Sequence, residues 1–215
     1  MKKQQLIGVS DDEVIDLLMR YMCPTPFHVV RTLFLGNIAS PVMNASPMET
    51  IKQLWDGELP EFDSIDDANE LISALVSGLW NRLTTHQSGL HPFKLMRFNV
   101  EQTRDGVEHL AMVRMQELEG FVDGLFGSHD QIDLPERAHT AIGVLSELRG
   151  ILVGAVHILG NQSKSAKPDD IKMLLQNIQK MTIIAETEIN KTVISCKRAR
   201  ENALETKSVT KPTLH

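Results

Sequence analysis

Helix-start signals recur from one end of this chain to the other. They constrain it more than any other feature, because each supplies partners for backbone N–H groups that a helix N-terminus leaves unsatisfied. Ser10-Asp-Asp-Glu13 is a capping box, and Val14, Leu17, Leu18 and Tyr21 then share one helical face as far as Cys23-Pro24. Thr25-Pro26 opens a second helix, with proline at its first position, through Phe27, Val30, Leu33 and Phe34 to about Ala39. Ser46-Pro47-Met-Glu49 has the form of another capping box. It starts a short helix carrying Ile51, Leu54 and Trp55 that closes at Asp56-Gly57.

Further along, Ser64 caps a helix with the stripe Ala68, Leu71, Ile72, Leu75, Leu79 and Leu83, ending near His86. Gln87 to Phe98, with Ser88-Gly89 and His91-Pro92, reads as a loop. A long helix follows from Asn99 or Arg104 to Phe126, and another opens at Pro135 with the face Ala141, Leu145, Leu148, Leu152, Val156 and Leu159. The last helix runs from Pro168 to about Leu204. No strand-like alternation bounded by hairpin turns occurs, which excludes the usual sheet-based enzyme scaffolds. With 215 residues, 42% of them hydrophobic, the chain can bury a sizeable core. The expectation is one compact, orthogonal all-α domain over residues 1–205. It has six or seven helices, a C-terminal helical pair over 135–205 that ends in a long helix, and a flexible tail over 206–215.

Charge narrows the partners. The net charge of −6 argues against a generally nucleic-acid-binding surface. It is unevenly placed, with eight acids and one lysine between Glu49 and Glu70, and Lys197, Arg198 and Arg200 gathered near the end of the last helix. The two cysteines, Cys23 and Cys196, supply no disulfide framework. Only about four apolar residues follow the first lysines before Asp11-Asp12, too few for a signal peptide, so a cytoplasmic location is expected.

The motifs of metal, nucleophile, phosphate and dinucleotide chemistry are absent. Glu136-x-x-His139 matches one ligand pair of a di-iron bundle, but such a site needs two pairs and two further glutamates. His157, between Val156 and Ile158, reads as a partly buried structural histidine. No catalytic, cofactor-binding or metal-binding residue is assigned, and no cofactor is expected. Gly120-x-x-x-Gly124 and Gly150-x-x-x-Gly154 each set two glycines on one helical face at a cost of up to ~1 kcal/mol per glycine, which points to close helix packing. Ile151 to Gly160 reads as core and falls short of the ~20 residues a membrane crossing needs. The last helix begins as a heptad seam, Ile171, Leu174, Ile178, Met181 and Ala185, that breaks at Glu188.

Over about residues 27–127 the pattern resembles the YecA/YgfB-like family of bacterial helical proteins. The residues that carry it are Leu33-Phe-Leu-Gly-Asn-Ile-Ala-Ser-Pro41 leading to Ser46-Pro47, Trp55 before Asp56-Gly57, and Phe62-Asp-Ser-Ile-Asp-Asp-Ala68. Trp80-Asn81-Arg-Leu83, Pro92-Phe93 and Glu117-Leu-Glu-Gly-Phe-Val-Asp-Gly124 complete it. The chain departs from the family at Thr50 and Glu117, where tryptophan is common, and it lacks the cysteine-rich zinc motif that some members carry at the C-terminus. The resemblance implies a helical fold and no reaction. It singles out Trp55, Gly120, Phe121 and Gly124 as residues of close helix packing or interaction. The functional expectation is a non-enzymatic cytoplasmic interaction or regulatory protein, with a protein partner or a second copy of itself and no membrane. A helical metal protein or enzyme, and nucleic-acid or ribosome association through the basic last helix, are the alternatives.

Overall fold

A computed structural model describes residues 9–42, 46–161 and 167–209, with side chains to 206. The leader to Gly8, most of the linker before Pro168 and the tail from Thr210 lie outside these residues. The described residues form an all-α fold, and its first helix follows its local signals closely. In α1 (Asp11–Arg20) the Ser10 hydroxyl accepts from the Glu13 N–H at 3.2 Å and the Glu13 carboxylate accepts from the Ser10 N–H at 2.7 Å. Pro26 caps α2 (Phe27–Ala39) rather than occupying its first turn, and the Ser46 side chain makes no cap bond at the start of α3 (Pro47–Gln53), contrary to the capping-box expectation.

The expected single helix after Ser64 is a continuous helical path with a change of winding inside it. α4 (Ile65–Ser73) passes into a π-helical segment, Ala74–Trp80, then α5 (Asn81–Thr84) and a 3-10 turn, Thr85–Ser88. The π segment buries Leu75 and Leu79 and sets Trp80 edge-on to Phe34, with ring centroids 5.4 Å apart. Gly78 receives Val9 at the same place, 2.9 Å from where a Cβ would stand.

The frame is the pair α2 and α6 (Arg104–Phe126), against which α7 (Glu136–Gly160) and α8 (Pro168–Val209) pack. α8 runs past the expected end at Leu204 and is helical through Val209. Its seam holds Ile171, Leu175, Ile178, Ala185, Ile189, Val193 and Cys196 in the core, and Glu188 stays buried on it with Lys191 at 2.7 Å. α3 docks at the α1–α2 corner, where half-buried Trp55 donates to the Tyr21 carbonyl at 2.9 Å and Thr25 to the Leu54 carbonyl at 3.0 Å.

Candidate functional site

Glycine decides how closely α2 and α6 cross. A Cβ on Gly124 would lie 1.9 Å from the Leu33 carbonyl oxygen, one on Gly36 would lie 2.1 Å from the Phe121 oxygen, and one on Gly120 would lie 2.8 Å from the Thr32 hydroxyl. Backbone therefore meets backbone at Gly36 and Gly124, and Phe121 between the α6 glycines is fully buried. Asn37, at the same crossing, leaves its Oδ1 buried and unpartnered. The second glycine pair, expected to pack closely, does not. Gly143, Gly150 and Gly154 of α7 face open space, with no atom within 4 Å of an added Cβ, so they are not packing glycines.

The stretch expected as a loop over 87–98 is one beyond the 3-10 turn that ends at Ser88, and a side-chain lattice holds it in place. From Phe93 to Arg97 the chain runs extended between α2, α6 and α8, and helix side chains take up its backbone groups. Asn190 accepts from the Phe93 N–H (2.8 Å) and donates to the Phe93 carbonyl (3.0 Å). Glu186 accepts from the Leu95 N–H (3.0 Å), Lys94 (3.0 Å) and Arg97 (2.6 Å). Glu117 accepts from the Met96 N–H at 2.7 Å and pairs with Arg114. Arg114 donates to the Met96 carbonyl (2.5 Å) and to the Thr182 hydroxyl (3.1 Å). Phe93 and Leu95 point inward, and the Arg31 guanidinium lies over the Phe93 ring, 5.0 Å from its centroid. Arg114 and Glu117 are both buried. Burial pushes the Glu117 carboxyl up from the usual range, against the pull of Arg114 and the Met96 N–H. This lattice binds the chain to itself.

Two grooves flank the outward ridge of α6. One, about 550 Å³, lies between α2 and α6 along Val29, Leu33, Gly120 and Phe126. The other, about 400 Å³, lies between α6 and α7 along Val122, Ile142 and Leu145. Val122, Asp123 and Phe126 border both.

α7 departs most from expectation. Ile151 to Gly160 is not all core: Leu152, Ala155 and Leu159 are buried, but Ile151 is 56% exposed, Ile158 is 63% exposed, and Val153 is exposed beside them. An 18-residue window of α7 has a mean hydropathy of 1.7 with only 28% of it buried, so by length and composition this helix is apolar enough to cross a membrane. His157 is exposed on the same helix rather than partly buried.

The remaining candidates are scattered. Glu136 and His139 are both exposed, and no group of three His, Cys, Asp or Glu able to hold a metal occurs among the described residues. Burial pushes the Cys196 thiol up to about 11, and Cys23 is also raised by burial; both are free. Arg200 is committed internally, donating to the Ile38 carbonyl at 2.7 Å, to the Ser40 carbonyl and to Gln87.

Sequence reasoning missed Arg114, Glu117, Glu186 and Asn190, which, beyond the Arg114–Glu117 pair within α6, find partners on distant parts of the chain. The signal within reach was the charged or amide residue on a core stripe. No family model, curated protein or solved structure matches this chain.

Proposed function

We propose that this chain is a non-enzymatic interaction or regulatory protein of the YecA/YgfB-like kind, acting in the cytoplasm through contact with another protein or a second copy of itself. The observation that carries the reading is the uncovered face of α7. Gly143, Gly150 and Gly154 lie along it, open to close approach, beside exposed Ile151 and Ile158. Large exposed side chains gathered around a smooth glycine track suit a helix or flat surface laid against them, because dispersion contacts need close approach. The nucleic-acid reading is weakened, because Arg200 is tied to the end of α2 and Lys197 pairs with Glu201 at 3.5 Å.

The test compares the wild-type chain with the double variant Ile151→Glu/Ile158→Glu. Both positions are exposed, so the variant is expected to melt like wild type. It should lose the proteins that wild type retains from lysate, or the larger mass that light scattering reports if the partner is a second copy. Equal retention and equal mass for the two chains overturn the reading.

A further inference from the structure

We propose that the paired grooves along the C-terminal half of α6 receive an amphipathic protein segment, whose apolar side chains fill the grooves and whose lysine or arginine pairs with Asp123. This surface uses Val122, Phe126 and Ile142, not the glycine track of α7 that carries the functional reading.

Shape and charge together select the occupant. Half-buried Val29, Val122, Phe126 and Ile142 line two adjoining grooves of about 550 and 400 Å³. Such walls suit the apolar face of a helical peptide, which offers side chains at i, i+3, i+4 and i+7. Between the grooves stands a carboxylate whose electrostatic surroundings are unbalanced. Asp123 lies one helical turn beyond Glu119 on the same face, and like charges at that spacing repel. The nearby cation, Arg149, is engaged by Glu119 at 2.7 Å. Burial, first, and the Glu119 charge, second, raise the Asp123 carboxyl above its ordinary value, with Arg149 opposing them. A docked segment removes more water from this carboxylate. An acidic segment would add a third negative charge, and an uncharged one would leave the carboxylate desolvated without a partner. A cation beside an apolar face answers both the grooves and the charge. Nucleic acid, by the same reasoning, is repelled.

The experiment pans a random-peptide display library on the immobilised full-length chain, with counter-selection on the Val122→Arg chain, whose long cation fills the ridge between the grooves. Enriched peptides are expected to combine apolar residues at helical spacing with one arginine or lysine. The best of them, synthesised, should bind wild type about tenfold more tightly than it binds Asp123→Asn. Asp123→Asn should itself melt at or slightly above wild type, because the repulsion from Glu119 is removed. Enrichment of acidic or uncharged peptides, equal affinity for Asp123→Asn, or no enrichment over Val122→Arg overturns the proposal. None of these outcomes bears on the α7 variant, since Ile151 and Ile158 line neither groove.

Discussion

At the scale of single residues, the buried charges control how the extended segment is held. Glu117 is enclosed completely, yet it has both a cation and a backbone N–H to accept from, which is the condition under which a carboxylate tolerates burial. Removing one partner strands the other. Glu117→Leu and Arg114→Leu are each expected to cost ~3–5 kcal/mol in urea denaturation. Each should also speed hydrogen exchange at the Met96 amide; unchanged exchange would mean that Phe93 and Leu95 hold the segment by apolar burial alone. His28 gives a second expectation at this scale. Burial lowers its pKa below 6.5, and the positive charge of Arg114 and the neighbouring His109 add to the shift, against its 2.9 Å contact with Gln116. Above pH 6.5 both folded and unfolded chains hold this imidazole neutral. As pH falls below 6.5 the unfolded chain takes up the proton first, so stability is lost toward the lower folded pKa. His28→Gln should flatten the loss in melts taken between about pH 7 and 5, and an unaltered slope would assign it to other groups.

At the scale of elements, two sets of helical glycines with similar spacing give opposite expectations. Gly124→Ala forces a methyl group onto the Leu33 backbone and should destabilise by ~1–3 kcal/mol or more, since backbone cannot yield as a flexible side chain does. Gly150→Ala meets nothing and should stabilise by up to ~1 kcal/mol through helix propensity. Denaturant melts of the two variants with opposite signs would establish the contrast; the same sign for both would contradict the packing described here. Spacing alone could not distinguish them, because Gly120–Gly124 and Gly150–Gly154 read identically until the neighbouring helix is known. The cap at Ser10 was legible because its partner Glu13 lies within a turn, whereas Ser46 carries the same local pattern and makes no cap bond. The π turn at Ala74–Trp80 was not, because Leu75, Leu79 and Leu83 keep the spacing of an ordinary helix through it. The open face of α7 was hidden for a different reason: a helix apolar around much of its circumference does not declare which side the core takes.

At the scale of the whole molecule, α8 touches α2, α6 and α7 and holds the 93–97 segment through Glu186 and Asn190. A helix engaged this widely couples the parts it touches. Far-ultraviolet circular dichroism and the fluorescence of Trp55 and Trp80, which sit far from α8 in sequence, should therefore report one coincident unfolding transition. Truncation after Lys180 should abolish it, whereas separate transitions in the full chain would divide the molecule into independent units. The all-α class was legible from the cap signals, but the ties that join its helices were not: Glu186 lies 91 residues from the Leu95 amide it accepts from, and nothing local marks the pair. One such tie joins Arg200 to the carbonyl of Ile38, 162 residues earlier, and so closes the end of α2. On the ribosome that distance becomes a delay. At ~5–20 residues per second, α2 emerges roughly 10–30 s before the arginine that finishes it. For about the first half of that interval the apolar surface of Leu33, Phe34 and Leu35 has no α6 to cover it, and its shelter falls to the exit tunnel and to whatever chaperone waits outside, while the far end of α8 arrives only at the close.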